Sequence, residues 1–360
     1  MRRSGSAYLP LHGGKAPRWL FEKMVKLSRI FIELAISEVG NEALLDMFAS
    51  PYWFQSFGSF LGFDWHSSGL TTTTLGALKV ALSDMTPSIG LFIAGGKGKT
   101  MRNTPREIEH TEKYLKVNPD ELKIASKIAA KVDSAWIQDG YNLYHHTILY
   151  TPDGQWVVIQ QGMNEEKRYA RRYHWHHSLL KTDITLPHSG IKAEQTHKGV
   201  FNLVSPTSLD NKRQIVSIFK EVPISELEKT LKLGEEERPL FMPPHHQVKL
   251  KISKNVKKII LSTYENPPKD ITDLATSHLG PASIRALSMA ATLIYGSQAD
   301  FTDPAVYSYA HGGKDGYPYP VDLKLYENTI SVLEKINRLS PEARQNATKV
   351  LRELHKLFKN

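Results

Sequence analysis

Aspartate and histidine residues recur in short blocks of the first part of the chain. Asp64 and His66 are two residues apart, so an extended segment would place both side chains on one face. Asp133 and Asp139 form a second block, which His145 follows closely. The other histidines of these blocks are His146, His174, His176, His177 and His188.

These residue types fit two chemistries. Carboxylate oxygens and imidazole nitrogens suit a divalent ion such as Mg²⁺ or Mn²⁺, which can activate water and stabilise a phosphodiester transition state. An aspartate can also orient a histidine as a general base without any metal. The predicted catalytic residues are Asp64, His66, Asp133 and Asp139. The predicted metal ligands are Asp64, His66, Asp139 and His145.

The tripeptide Gly-Gly-Lys occurs three times, in residues 11–17, 94–99 and 310–316. Consecutive glycines can expose backbone N–H groups as an anion-binding nest, and the lysine adds a positive charge. Glycine turns with a solvated lysine are the alternative. The predicted phosphate contacts in these loops are Lys15, Lys97, Lys99 and Lys314.

The second of these loops resembles the phosphate-binding loop of nucleotide hydrolases only in part. Gly98, Lys99 and Thr100 match the end of that motif, but Ile93 stands where its first glycine belongs. A helix signal follows only later, with Thr104 as the expected cap and Glu107 closing a capping box. We therefore expect no nucleotide cofactor.

A basic and aromatic stretch, residues 168–175, is a second candidate contact for nucleic acid. Arg171 and Arg172 could clamp phosphate, and Tyr173 and Trp175 could stack on bases. A solvated amphipathic face is the alternative interpretation of this stretch.

Composition favours an acidic partner. The 360 residues carry a net charge of +9, which favours nucleic acid, here DNA, as the partner. The absence of cysteine excludes disulfides, zinc–thiolate sites and a protein-held iron–sulfur cluster. The N-terminus lacks an apolar signal region and the chain lacks a long apolar run, so we expect a cytoplasmic protein without a membrane partner.

Local patterns predict an α+β domain over residues 1–233, a linker over 234–247 and a helical domain over 248–360. Apolar spacing predicts a helix from Trp19 to Val39 that ends at Gly40. Residues 142–163 predict a hairpin around a Pro-Asp-Gly turn, and residues 198–204 predict another strand. Residues 340–360 predict a closing amphipathic helix.

The helical part resembles a helix-hairpin-helix motif at residues 270–296, in which backbone amides grip a DNA phosphate. Gly280 matches its second glycine, while His278 replaces the first. In glycosylases built on this motif a catalytic aspartate follows, and Asp303 has a comparable position, with Asp315 and Asp322 as competitors. An ordinary helical hairpin is the alternative.

Six blocks of the chain resemble an archaeal and bacterial family known as domain of unknown function 763. The blocks are residues 9–21, 53–79, 129–146, 155–164, 170–175 and 310–322. The resemblance spans most of the chain and implies a soluble, cytoplasmic prokaryotic protein, but it implies no activity.

The residues favour a DNA-processing enzyme, in the first place a metal-dependent nuclease acting on damaged or structured DNA. A monofunctional glycosylase that uses Asp303 is the second hypothesis. A non-catalytic DNA-binding protein is the third.

Overall fold

A computed structural model of the chain describes residues 9–11, 16–83, 85–236 and 253–305. It is a mixed α+β structure with antiparallel sheets, as predicted. The helices are α1 (Arg18–Ala49), α2 (Pro51–Phe60), α3 (Gly69–Leu82), α4 (Thr86–Ile89), α5 (Thr104–Glu109), α6 (Pro119–Lys131), α7 (Leu209–Glu221), α8 (Ile224–Glu236), α9 (Lys254–Thr263), α10 (Ile271–Thr276) and α11 (Pro281–Tyr295). The strands are β1 (Phe92–Lys97), β2 (Ile137–Gln138), β3 (Asn142–Tyr150), β4 (Trp156–Asn164), β5 (Tyr169–His176), β6 (His188–Lys192), β7 (Lys198–Asn202) and β8 (Asp300–Thr302).

A five-stranded sheet in the order β1-β3-β4-β5-β6 lies between two layers. Alternate residues of its strands point to opposite faces, so each face has its own apolar cluster. Leu149 and Val157 pack with α1, α2 and α3 on one face. Ile148 and Val158 pack on the other face with α6, α7, α11 and the second sheet, which has the order β2-β7-β8.

The predicted hairpin and the predicted strand over 198–204 are confirmed. Strands β3 and β4 pair from Tyr150 and Trp156 outward, and the turn between them contains Gly154 at a φ of 82°. Only glycine adopts that backbone region without strain, which explains the Pro-Asp-Gly signal.

Glycines in the left-handed region interrupt or end two of the helices. Gly40 has a φ of 81° and breaks α1, although a second helical segment continues to Ala49. Gly296 ends α11 in the left-handed conformation. The predicted capping box at Thr104 is wrong, because the Glu107 carboxylate instead accepts hydrogen bonds from Gly95 and Lys79.

The described residues after the predicted linker are not all helical. β8 pairs with β7, so the prediction of helix throughout that part is wrong at residues 300–302. Ile260, Leu274 and Ile284 belong to the same apolar cluster as the sheet. The division into two domains stays a prediction.

Some predictions fall on other parts of the chain. The predicted linker starts too early, because α8 continues to Glu236. The rest of that linker, Lys15, Lys314 and the closing helix lie outside the described residues. No helix in the described ranges is long and apolar enough to cross a membrane.

Candidate active site

Strand β5 carries the polar side chains around which the site is built. Its residues alternate between faces, so Arg171, Tyr173 and Trp175 share one face while Arg172 and His174 share the other. All five side chains are fully buried. Buried polar groups need partners, and the partners on the first face are aspartates.

Asp133 lies in the π-helical turn Val132–Trp136 that follows α6. Such turns hold one extra residue and often mark functional positions. The Asp133 side chain is fully buried, and its Oδ2 accepts hydrogen bonds from Gln160 Nε2 at 2.5 Å and Trp175 Nε1 at 2.8 Å. Its Oδ1 lies 2.6 Å from Nε2 of His188.

His188 begins β6, where the pairing with β5 is irregular. Gly190 pairs with His174 and His188 pairs with Trp175, so Ser189 is an extra residue in β6. This bulge turns His188 onto the face of Trp175, and their ring centroids are 4.6 Å apart. The side chain is 7% exposed.

The turn before His188 is strained. Ile184 and Leu186 have φ values of 45° and 47°, a region that residues other than glycine rarely adopt. Lys212 holds this turn, because its Nζ donates to the carbonyl oxygens of Asp183 at 2.6 Å and Ile184 at 3.0 Å. Burial lowers the pKa of Lys212 to about 8. Strain of this kind concentrates at functional sites.

A second group of side chains lies beside the Asp133–His188 pair. Arg171 Nη1 is 2.9 Å from Asp139 Oδ2, and Arg171 Nη2 is 2.8 Å from Asp303 Oδ2. Tyr173 donates to Asp139 over 2.6 Å, and its ring centroid is 6.3 Å from that of His188. The fold therefore brings three predicted aspartates, Asp133, Asp139 and Asp303, along one face of β5.

The electrostatics of this group follow from burial. Burial, the Asp139 carboxylate and the hydrogen bond to it raise the pKa of Tyr173 well above its ordinary value, so the phenol stays protonated. Burial opposes the charge of Arg171, but Asp139 and Asp303 together outweigh it and raise the guanidinium pKa. Arg171, Asp139 and Asp303 therefore form a buried ion-pair network.

Arg171 and Arg172 were predicted as phosphate contacts, and this is wrong. Arg171 is neutralised by its two aspartates, whereas Arg172 bonds to Gln55 at 2.9 Å and to His174 Nε2 at 2.9 Å. Both arginines have no exposed surface, and Trp175 is likewise too deep to stack on a base.

The predicted metal site does not form in the described part of the chain. Asp64 and His66 are exposed, whereas Asp139 and His145 are buried. His145 bonds to Thr147 at 2.9 Å, and burial lowers its pKa to about 3. Among the described residues no group of three or more histidine, aspartate or glutamate side chains is arranged to hold a metal ion.

The second Gly-Gly-Lys loop already binds an anion from this chain. The Gly95 N–H donates to the Glu107 carboxylate at 2.7 Å, and Lys79 pairs with the same carboxylate at 2.7 Å. Lys97 and Lys99 remain exposed, and Lys97 lies 5.7 Å from the centroid of the Tyr144 ring.

The hairpin before α11 has several cationic groups. Gly280 caps α11 without a side-chain hydrogen bond. Lys131 donates to the Leu279 carbonyl at 2.8 Å, and burial, together with Lys127, lowers its pKa. Arg285 Nε is buried and has no hydrogen-bond partner among the described residues.

Sequence reasoning named His188 only among the other histidines, and it missed Gln160 and Lys212. For Gln160 a sequence signal existed, namely a polar residue directly after an apolar run in a strand. A buried amide needs hydrogen-bond partners, so such a residue indicates a polar cluster in the interior. Gln160 follows the run Val157–Ile159, and it bonds to Asp133, Ala129 and His146.

A family model described as "Protein of unknown function (DUF763)" matches residues 5–321. No curated protein and no solved structure matches the chain.

Proposed function

We propose that this chain, which belongs to the DUF763 family, is a DNA-processing hydrolase. In this proposal His188 is the general base and Asp133 orients it. The observation that carries this proposal is the 2.6 Å contact between Asp133 Oδ1 and His188 Nε2 inside a shell that fixes the carboxylate.

The hydrogen bonds determine the tautomer of His188. The indole N–H of Trp175 and the amide N–H of Gln160 can only donate, so they leave Asp133 as an acceptor. His188 then donates from Nε2, and its Nδ1 carries the lone pair. Nδ1 makes no hydrogen bond to another described residue, so it is available for a water molecule or a hydroxyl group.

In the proposed reaction a water molecule gives its proton to His188 Nδ1 as its oxygen attacks phosphorus. The Asp133 carboxylate stabilises the imidazolium that forms, and the bond from phosphorus to the leaving oxygen breaks. The leaving oxygen is on the opposite side of phosphorus and takes up a proton from solvent, and His188 then releases its proton to solvent. No step of this reaction depends on a metal ion, and the experiment below compares Mg²⁺, Mn²⁺ and chelator.

Charge supports DNA as the substrate. The first-turn amides of α11 lack intrahelical partners, and a helix N-terminus favours an anion. Lys131 and Arg285 lie at the same end of the helix. On α9, Lys254, Lys257 and Lys258 border a groove of about 420 Å³. We propose that this C-terminal part grips the DNA backbone and that the preceding part carries the chemistry.

The glycosylase hypothesis needs Asp303 to face a sugar cation. Both oxygens of Asp303 are occupied, because they accept hydrogen bonds from Arg171 and from the backbone N–H groups of His197 and Ala305. The geometry therefore favours His188 over Asp303 as the reactive group.

The testing experiment incubates end-labelled single-stranded, duplex, branched and base-damaged DNA with Mg²⁺, Mn²⁺ or chelator, before and after alkali. We expect direct strand breaks that are lost in Asp133→Asn. Breaks that appear only after alkali and are lost in Asp303→Asn would instead support the glycosylase. Salt-dependent binding without any breaks would support a non-catalytic DNA-binding protein.

A further inference from the structure

A second histidine lies between a carboxylate and a hydroxyl group. Asp46 is in the last part of α1, His176 is the last residue of β5, and Ser178 is in the 3₁₀ turn His177–Leu179. His176 Nε2 is 3.0 Å from Asp46 Oδ1, and His176 Nδ1 is 2.7 Å from Ser178 Oγ. Neither the proposed function nor the family match uses these side chains.

The bonding to His176 sets its tautomer. Both the hydroxyl group and, at 3.4 Å, the backbone N–H of Ser178 point at Nδ1, so this nitrogen is the acceptor. The ring proton then lies on Nε2, next to Asp46. The Nε2 contact falls outside the angles of a good hydrogen bond, as is common before a substrate binds.

Accessibility separates this group from a similar pair in the interior. Ser126 Oγ is 2.7 Å from His146 Nε2, but both side chains are buried between α6 and the sheet. Ser178 is exposed, and the His176 side chain is 12% exposed. A reagent can therefore reach Ser178, whereas Ser126 is enclosed.

We infer that Asp46, His176 and Ser178 form a nucleophilic centre that hydrolyses carboxylic esters. Ser178 Oγ attacks the acyl carbon while its proton passes to His176 Nδ1, and Asp46 stabilises the imidazolium. The C–O bond to the alcohol breaks, and the alcohol leaves with that proton. Water then gives a proton to His176 as its oxygen attacks the acyl carbon. The bond from that carbon to Ser178 Oγ breaks, the carboxylic acid leaves, and Ser178 recovers its proton from His176.

Ser178 is on the surface, so we expect the substrate to be an ester whose acyl group can reach an exposed serine without entering a deep pocket. A second imidazole borders the centre, because the His177 ring centroid is 4.4 Å from that of His176. His177 can donate a hydrogen bond to the oxyanion when its ring nitrogen carries a proton.

The test uses a fluorophosphonate probe on the full chain, with intact-mass and peptide-level mass spectrometry. We expect one adduct, on Ser178, and its loss in Ser178→Ala. Labelling should slow at least tenfold in His176→Gln and in Asp46→Asn, which removes only the charge of an exposed carboxylate. Ser134→Ala is the matched control, since Ser134 is an exposed serine that donates to the Lys131 carbonyl.

Melting temperatures show whether each variant is folded. An unlabelled wild-type chain, equal labelling of Ser178→Ala, or an unchanged rate in folded Asp46→Asn would each overturn the inference. Hydrolysis of p-nitrophenyl acetate should follow the same order of variants. Because none of these measurements involves DNA or His188, they are independent of the proposed function.

Discussion

The three aspartates that meet the side chains of β5 have different bonding, and that difference separates a catalytic role from a structural one. Asp133 supports a histidine that is partly exposed, whereas Asp139 and Asp303 neutralise a buried arginine. Removing one partner of a buried ion pair leaves a charge without compensation. A buried carboxylate can therefore be essential for folding without taking part in a reaction.

Asp303→Asn should destabilise the protein by about 1.5–3 kcal/mol, because Arg171 would lose one of its two carboxylates and the hydrogen bonds to it would weaken, while Asp139 keeps the arginine charge balanced. The free energy of unfolding in urea measures this effect. Asp64→Asn is the control, since Asp64 is exposed and its substitution should cost less than about 0.5 kcal/mol. An Asp303→Asn variant with wild-type stability would contradict the structural role and revive the glycosylase hypothesis.

At the scale of elements, local irregularities position the site. A π turn carries Asp133, a bulge precedes Gly190, and a turn with two left-handed residues leads to His188. Regular elements would separate these side chains, because a one-residue change in a strand reverses the face of every following residue.

Leu186→Asn should stabilise the protein by about 0.5–1 kcal/mol. Leu186 is 58% exposed with a φ of 47°, and asparagine adopts that conformation at lower cost. Leu293→Asn is the matched control, because Leu293 is 48% exposed in helix α11, where asparagine is a poorer helix former. Thermal unfolding of both variants decides the point; equal destabilisation of both would show that the turn stores no strain.

Ala282→Asp tests the phosphate grip at α11. Ala282 is an exposed residue of the first turn, where a carboxylate should stabilise the helix by about 0.3–1 kcal/mol. The same charge should repel a DNA phosphate and weaken binding roughly tenfold. Ala282→Gln should keep the affinity. Fluorescence anisotropy with labelled DNA measures the affinity of each variant. Unchanged binding by Ala282→Asp would exclude this helix end as a DNA contact.

Sequence patterns predicted the parts of the molecule that depend on local conformation. The hairpin around Gly154 and the break at Gly40 each follow from one glycine in a backbone region that other residues avoid. The Asp133–His188 pair could not be predicted from spacing, since the two residues are 55 positions apart.

Long-range packing also reversed the interpretation of several charged residues. A run of arginines and aromatic residues has the same pattern on a solvated face and in an interior where each arginine meets a carboxylate or an amide. Arg171 and Arg172 are therefore indistinguishable from surface residues until Asp303 and Gln55 are placed beside them. The irregular turns at the site could not be predicted from the sequence either, because they have no periodic residue pattern.

At the scale of the whole molecule, buried histidines make stability depend on pH. Burial lowers the pKa of His145 to about 3, that of His146 below its ordinary value and that of His174 well below it. The folded chain keeps these rings neutral as pH falls, whereas the unfolded chain protonates them near pH 6.5. The unfolded state then binds more protons, so stability is present above about pH 6.5 and is lost below it.

At pH 5, His145 alone should cost about 2 kcal/mol of stability relative to pH 7.5. Urea unfolding across that range measures the change. His145→Gln should reduce the slope of stability against pH below 6.5, whereas His110→Gln, at an exposed position, should leave it unchanged. Stability that stays constant down to pH 5 would contradict the burial of neutral histidines in the folded chain.

The most direct test of His188 as the general base is the single-turnover rate of DNA cleavage. The rate is compared among the wild-type chain, His188→Gln and the exposed control His110→Gln. We expect His188→Gln to cleave about 100- to 10,000-fold more slowly with unchanged DNA affinity, while His110→Gln keeps the wild-type rate. A His188→Gln variant that cleaves DNA at the wild-type rate, or a wild-type chain that cleaves none of the DNA substrates, would contradict the assignment of His188 as the general base.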